Sequence, residues 1–162
     1  MKYLTLTFLV ALALCSACNT NMELTEKDIL EIKQLEKDYV NGWFEKNQKE
    51  AVISVFEKEA AFIPHHGDSP VIGVKNLEAF FWPDGVGGIV HKFNHYPDTI
   101  EGNNQIAWIR GRFDIKYSWI NNTDTTTTLN EGNYVIIARK QKESQWKIAT
   151  FIFNDPVAQI ED

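Results

Sequence analysis

Residues 132–140, GNYVIIARK, decide the fold of this chain together with residues 146–149, WKIA. Both stretches are rich in β-branched and aromatic residues, which are typical of strands. The polar run 142–144 separates them and favours a turn. The sequence therefore predicts two adjacent strands, at about residues 129–141 and 145–154.

Two more strands are predicted upstream, at about residues 89–100 and 105–120. Side chains alternate between the two faces of a strand. In the second of these strands the odd positions 107–119 suit a buried face, whereas the even positions are mostly polar. Gly111, in the middle of the strand, favours the sharp bend that a curled sheet needs.

Three helices are predicted in the N-terminal half of the chain. Thr25 and Asp28 form a capping pair for the first, and apolar residues then recur at steps of three and four over a helix that ends near Lys46. A second, shorter helix begins near Asn47, and a third spans residues 74–82. Helices followed by a long sheet predict an α+β domain.

Residues 1–17 have the pattern of a signal peptide. The apolar run from Leu4 to Leu14 is too short to span a bilayer as a permanent helix. Small residues then precede Cys18, as in a bacterial lipobox, so we expect cleavage there and lipidation of Cys18. An ordinary secretory signal cut nearby is the alternative. A tether at 18–23 and one domain at 24–157 follow, held at the bacterial cell envelope by the lipid anchor.

The composition excludes some classes of partner. The net charge is -6 and no basic run is present, so binding to nucleic acid is not expected. Only Cys18 remains in the predicted mature chain, which leaves no disulfide. Aromatic residues make up 12% of the chain, a fraction that suits a filled core or a cavity with aromatic walls.

Six local stretches of the chain indicate its family: Tyr39-Val40, VFEKEAAF at 55–62, VIGV at 71–74, GNYVIIARK at 132–140, WKIA at 146–149 and Asn154-Asp155-Pro156. Together with the order of elements, they resemble the nuclear transport factor 2-like superfamily, in particular its SnoaL-like and ketosteroid isomerase-related branch. The resemblance covers about residues 26–156. It implies a cone, in which a curved antiparallel sheet wraps around the long first helix and encloses an apolar cavity. It also implies homodimers that pair through the outer face of the sheet.

The resemblance carries over few catalytic residues. Tyr39 is similar in placement to the first-helix tyrosine of the isomerases, although a core tyrosine is the simpler interpretation. The position of their aspartate base holds Pro64, and their oxyanion-binding aspartate falls near Asn133. Neither Pro64 nor Asn133 is an acid or a base, so steroid isomerisation as such is not expected.

Residues 62–73, FIPHHGDSPVIG, contain two of the four histidines. Three interpretations stay open: a structural turn, a histidine that faces the cavity, and a metal site. An imidazole titrates near neutral pH, so His65 is a candidate base. Adjacent strand residues point to opposite faces, so at most one of His65 and His66 enters the cavity. This weakens the metal interpretation, and neither a metal nor another cofactor is expected.

Two further strands offer polar candidates. His91 and His95 share a face with Phe93, too far apart for one metal ion, and either line the cavity mouth or are partly exposed. Glu131 and Asn133 share a face of the 129–141 strand. If that face is inward, burial raises the pKa of Glu131; otherwise Glu131 is a solvated carboxylate.

Three functions stay open. The first is a cavity that binds a small, largely apolar molecule, without established catalysis. The second is a dimeric interaction module in which the cone is only a scaffold. The third is an isomerase, cyclase or dehydratase that acts on a small hydrophobic substrate through Tyr39 and His65. The residues expected to line the ligand site are Trp43, Phe56, Phe62, Phe81, Phe113, Glu131, Asn133 and Phe151.

Overall fold

The computed structural model describes residues 23–65, 67–121, 123–155 and 159–161. The predicted signal peptide (1–17) and the lipidation site Cys18 lie outside these residues and stay predictions. Among the described helices, none is both long enough and apolar enough to cross a membrane.

Three helices lie within the described residues, and the predicted capping box begins the first. The Thr25 hydroxyl accepts a hydrogen bond from the backbone N–H of Asp28, and the Asp28 carboxylate accepts one from the backbone N–H of Thr25. The first helix ends at Gly42, earlier than predicted, and the second helix passes close to this glycine. A Cβ on Gly42 would lie 3.1 Å from the backbone nitrogen of Val52. The helices are α1 (Glu26–Gly42), α2 (Gln48–Ser54) and α3 (Val74–Phe81).

The described strands form one sheet, and its four long strands agree with the predicted ranges to within a few residues. Their side chains supply most of the buried core. The strands are β1 (Phe56–Ile63), β2 (Val71–Ile72), β3 (Val86–Gly102), β4 (Ile106–Asn121), β5 (Asp124–Lys140), β6 (Trp146–Asn154) and β7 (Gln159–Glu161).

The sheet has the order β2-β1-β6-β5-β4-β3, and β7 pairs with β5. Strands β3 to β6 form the predicted antiparallel meander. The fold class is α+β as predicted, with one difference: β1 and β6 pair in parallel, with Phe62 opposite Phe151. The sheet is therefore mixed. A pairing between the first and a late strand leaves no local signal, because no turn joins them.

The register between β4 and β5 shows which side chains face inward. Gly111 of β4 pairs with Tyr134 of β5, and both residues are buried. Because paired residues share a face of the sheet, the even positions of β5 point inward at this level. Glu131 and Asn133 therefore lie on the outer face and are exposed. The expectation that they line the cavity is wrong, since parity within a strand does not say which face is inner.

The curved sheet wraps around α1, which packs against β3 and β6. The buried stripe of α1 includes Ile32, Leu35 and Tyr39, and burial of each such side chain contributes about 1.5–3 kcal/mol. Gly111 allows a close approach at the centre of the sheet. A Cβ at this position would lie 2.8 Å from the hydroxyl oxygen of Tyr134, so the glycine leaves room for that hydroxyl to reach α1.

Candidate functional site

A cavity of about 450 Å³ opens on the concave side of the sheet, between α1 and α3. Its walls are mostly aromatic. Trp43 and Trp82 stack with 5.2 Å between ring centroids, and Phe62 meets Phe81 edge-to-face at 4.9 Å. The lining residues are Tyr39, Trp43, Gln48, Phe62, His65, Phe80, Phe81, Trp82, Pro83, Val86, Gly88, Ile89, Val90, Phe93, His95, Phe113, Ile115, Tyr117, Ser118, Trp119, Asn130, Phe151 and Phe153.

Most of the predicted site residues lie at this cavity. Phe56 is buried but lies behind the wall, where it packs edge-to-face on Tyr39 with 5.7 Å between ring centroids. Glu131 and Asn133 lie on the outer face of the sheet, away from the cavity. A role in binding or catalysis stays a prediction for all of them. The predicted residues that line the cavity are Tyr39, Trp43, Phe62, His65, Phe81, Phe113 and Phe151.

A buried polar cluster joins α1 to the sheet at the cavity wall. The Glu36 carboxylate accepts a hydrogen bond from the Tyr134 hydroxyl, and its Oε1 lies 3.2 Å from Nδ1 of His95. The His95 ring stacks on the Tyr134 ring, with 4.1 Å between centroids. The side chains of His95 and Glu36 are only 3% and 4% exposed. Contacts on both sides therefore hold the imidazole in place.

Burial controls the charge of this cluster. Desolvation lowers the pKa of His95 below its ordinary 6.5, although Glu36 acts in the opposite direction. The imidazole is therefore neutral at pH 7. Desolvation and the hydrogen bond to Glu36 raise the pKa of the Tyr134 hydroxyl. Burial also raises the pKa of Tyr39, so both phenols keep their protons.

Three buried polar atoms of the cavity wall have no hydrogen-bond partner within the described residues. They are Nε2 of His95, Oδ1 of Asn130 and Nε1 of Trp43. The Trp43 N–H interacts with the Tyr39 hydroxyl, but with a geometry short of a hydrogen bond. An unsatisfied buried polar atom costs about 1–3 kcal/mol, so each of these atoms favours a polar group of a ligand.

His65 also faces the cavity. Its Nδ1 lies 3.2 Å from Oδ1 of Asp155, whose side chain is fully buried, and its ring packs on Phe153 with 5.2 Å between centroids. Asp155 in turn accepts a hydrogen bond from Nδ2 of Asn130 at 2.6 Å. The structure thus places His65 at the cavity, whereas His66 lies outside the described residues. No group of three or more His, Cys, Asp or Glu side chains in the described ranges could hold a metal ion.

Exposed apolar side chains form the mouth of the cavity. Phe80, Ile89 and Trp119 line the cavity, yet they are 43%, 48% and 37% exposed. Beside them the buried Ser118 hydroxyl lies 2.7 Å from Nε2 of His91 and 2.7 Å from the hydroxyl of Thr127. The mouth of the cavity therefore presents apolar surface to solvent.

The position of Glu36 in the cavity wall was not among the predictions from the sequence. Glu36 lies on the buried side of α1, at helical spacing between Ile32 and Tyr39. An acidic residue within an apolar stripe is the signal that points to it, because a carboxylate is rarely buried without a partner. Asn130 carries no comparable signal, since it faces inward only through the register of β5 with β4.

The two histidines of β3 have different environments. His95 alternates with the buried Phe93, and its side chain lies in the cavity wall. His91 is exposed, because a register shift between Val90 and Lys92 interrupts the alternation. The sequence left open whether these histidines line the cavity or are partly exposed, and His95 lines the cavity. The sequence gives no sign of the bulge.

The arrangement suits ligand binding and proton transfer. A neutral imidazole accepts a hydrogen bond or a proton through its unprotonated nitrogen. The carboxylate of Glu36 at the other nitrogen of His95 favours a positive charge on the ring if the ring takes up a proton.

Solved structures show which fold this is. A ketosteroid isomerase-like protein from Erwinia carotovora atroseptica has a TM-score of 0.65 at 14% identity, over 81% of this chain and 98% of that one. An NTF-2-like protein of unknown function from Shewanella oneidensis has a TM-score of 0.55 at 19% identity, over 77% and 97%. A candidate scytalone dehydratase from Novosphingobium aromaticivorans has a TM-score of 0.59 at 13% identity, over 83% of this chain and 88% of that one.

No family model and no curated protein matches the sequence. At the identities of the solved structures the likeness establishes the fold alone. The chain therefore has the nuclear transport factor 2-like fold that the sequence predicted.

Proposed function

We propose that the protein binds a small, largely apolar molecule in the cavity, with the imidazole of His95 as the main polar contact. The observation that carries the proposal is the position of Nε2 of His95, which is buried without a hydrogen-bond partner among the described residues, in a wall that is mostly aromatic. Aromatic rings supply a large apolar contact area, and a few placed polar groups fix orientation. In an interior without a cavity, a buried imidazole nitrogen without a partner would only lower the stability of the fold.

The size of the cavity sets the expected ligand. A volume of about 450 Å³ holds a molecule of two or three rings. Such a ligand gains mainly from burial of apolar surface, and a dissociation constant on the order of 10 µM is expected for a probe of this size.

The test is a titration with biphenyl derivatives, followed by tryptophan fluorescence and by thermal melting. Trp43 and Trp82 line the cavity, so their emission reports binding directly. Ile115, a half-buried lining residue, is replaced in Ile115→Trp to fill the cavity. Leu30, which is 67% exposed on α1, gives the matched control Leu30→Trp.

Binding is expected in the wild type and in Leu30→Trp, and is expected to weaken at least tenfold in Ile115→Trp. Binding of no probe by the wild type would contradict the proposal. Equal affinity in Ile115→Trp would contradict the placement of the ligand.

A second candidate function is acid–base catalysis on a small hydrophobic substrate, as an isomerase, cyclase or dehydratase. The contact between Glu36 and Nδ1 of His95 favours it, since Nε2 is then available at the cavity. Tyr39 and His65, the residues expected from the sequence, line the same cavity. Two of the similar solved structures, the ketosteroid isomerase-like protein and the candidate scytalone dehydratase, have names of this kind, but the names describe those proteins and not this chain.

Catalysis has its own test. Turnover found with any substrate is expected to fall by about 10²–10⁴ in His95→Phe, as for loss of a general base. It is also expected to vanish in Tyr39→Phe and in His65→Ala. Wild-type rates in these variants would remove the proposed roles.

We also propose that the protein forms homodimers through the outer face of the sheet. The exposed apolar side chains on that face include, among the described residues, Tyr96, Ile106 and Ile152. Light scattering is expected to give a dimer for the wild type and a monomer for Ile152→Lys. A monomeric wild type at high concentration would contradict the proposal.

The lipid anchor at Cys18 and the location in the cell envelope rest on the sequence alone. Radiolabelled palmitate is expected to mark the wild type in bacteria, with the label in the membrane fraction. The Cys18→Ser variant is expected to carry no label. Equal labelling of both proteins would contradict the anchor.

A further inference from the structure

The buried cluster fixes which nitrogen of His95 carries the hydrogen. Oε1 of Glu36 accepts a hydrogen bond from the Tyr134 hydroxyl and also lies 3.2 Å from Nδ1 of His95. A carboxylate accepts hydrogen bonds but does not donate them, so this contact is a hydrogen bond when Nδ1 is the protonated nitrogen. A neutral imidazole has one N–H. The other nitrogen, Nε2, is consequently left with its lone pair.

That lone pair lies in the cavity wall. His95 lines the cavity, its side chain is 3% exposed, and Nε2 has no partner in the part of the chain that the structure describes. An acceptor that is buried without a donor is costly. A ligand therefore gains most at this position by supplying a hydrogen.

Asn130 presents a second acceptor. Its Nδ2 donates to the Asp155 carboxylate at 2.6 Å, and because a carboxylate cannot donate, this contact fixes the orientation of the amide. Oδ1 of Asn130 is then the amide atom that does not contact Asp155, and it is buried without a hydrogen-bond partner among the described residues. The Trp43 N–H is the donor among the three unpartnered atoms, and a hydroxyl group accepts as well as donates.

We propose that the ligand of the cavity is an apolar molecule that carries a hydroxyl group, as a phenol or an alcohol, and that this hydroxyl donates its hydrogen to Nε2 of His95. The inference rests on the proposed binding function and names its ligand class. An ether or a carbonyl compound presents only acceptors to Nε2. A carboxylate brings a further negative charge towards Glu36 and Asp155. The cavity discriminates against all three.

The test uses four probes with one skeleton: biphenyl, para-phenylphenol, its methyl ether and the corresponding para-aldehyde. Their affinities for the wild-type protein are measured by calorimetry. We expect para-phenylphenol to bind about tenfold more tightly than each of the others, as for one good hydrogen bond in a dry site.

The outcomes separate this inference from the function on which it rests. Equal affinity for all four probes, or tightest binding of the aldehyde, would overturn the hydroxyl preference and leave the binding function standing. Absence of binding for all four would overturn both.

The variant Glu36→Leu tests the origin of the preference. Leucine offers no acceptor to Nδ1 of His95, so nothing holds the ring hydrogen on that nitrogen and Nε2 can carry it. We expect the preference for para-phenylphenol over the aldehyde to fall about tenfold, with the fold checked by circular dichroism. Glu31→Leu, on the more exposed side of α1, should retain the wild-type preference. A wild-type preference in Glu36→Leu would overturn the role of Glu36 as the positioning residue and with it the inference.

Discussion

The Oε1 atom of Glu36, on the first helix, lies 3.2 Å from Nδ1 of His95, on a strand 59 residues later. This contact joins the helix to the sheet that wraps around it. It also occupies one nitrogen of the imidazole and leaves the other, Nε2, in the cavity wall. The stability of the cone and the polarity of its cavity therefore depend on the same buried cluster.

The hydroxyl of Tyr134 is expected to stabilise the fold through its bond to Glu36. Both side chains are buried, so Tyr134→Phe removes a hydrogen bond to a buried carboxylate. We expect a loss of about 2 kcal/mol in the free energy of unfolding, measured by urea denaturation. Tyr96 bonds Asp114 at 2.7 Å but is exposed, so Tyr96→Phe should cost less than about 0.5 kcal/mol. Equal losses in both variants would contradict the importance of the buried cluster.

Gly111 is expected to tolerate no side chain. A Cβ there would lie 2.8 Å from the Tyr134 hydroxyl and 2.9 Å from Cα of Pro97, so neighbouring strands must shift. We expect Gly111→Ala to lose about 1–3 kcal/mol of unfolding free energy. The control is Gly88→Ala, whose nearest contact would be 3.6 Å from the Trp119 ring. A Gly111→Ala protein as stable as this control would contradict the close packing around Gly111.

Asp28 is expected to make stability depend on acid pH. Burial opposes its charge, but hydrogen bonds from Lys140 at 2.6 Å, from Thr25 and from Trp146 at 3.1 Å outweigh it and hold its pKa well below the ordinary 3.8. A carboxyl whose pKa is lower in the folded state stabilises the fold above its unfolded pKa, and this contribution disappears as pH falls towards the folded pKa.

The variant Asp28→Asn measures this contribution. At pH 7 we expect its free energy of unfolding, measured by urea denaturation, to be about 2–3 kcal/mol lower than that of the wild type, because the substitution breaks a largely buried pair. The gap between the two proteins should narrow as pH falls below about 4. Asp38→Asn, on the exposed side of the same helix, should leave stability unchanged. A gap that stays constant down to the lowest pH would contradict the depressed pKa.

Much of the fold could be predicted because its signals are local. The capping pair of Thr25 and Asp28, the turn after Lys140 and the apolar alternation of β4 each depend on neighbouring residues, and the structure has all three. Two cavity residues, Tyr39 on α1 and Trp43 directly after its end, follow from helical spacing. Resemblance to known proteins supplied the cone, and the solved structures confirm that fold.

The polar part of the site could not be predicted in the same way. The contact of Glu36 with His95 joins residues far apart in sequence, and only the curvature of the sheet around α1 brings them together. The inner face of β5 follows from the pairing of Gly111 with Tyr134, which is why Asn130 rather than Glu131 lines the cavity. Pairing between distant strands and bulges such as the one beside Val90 leave no local pattern.

The protonation of His95 tests the central claim most directly. The measurement is the nitrogen-15 spectrum of histidine-labelled protein at pH 7, before and after addition of para-phenylphenol. The account predicts a neutral ring with hydrogen on Nδ1, and a shift at Nε2 when the probe binds while Nδ1 stays protonated. Hydrogen on Nε2 in the free protein, or an Nε2 signal that does not move at saturating para-phenylphenol, would contradict it.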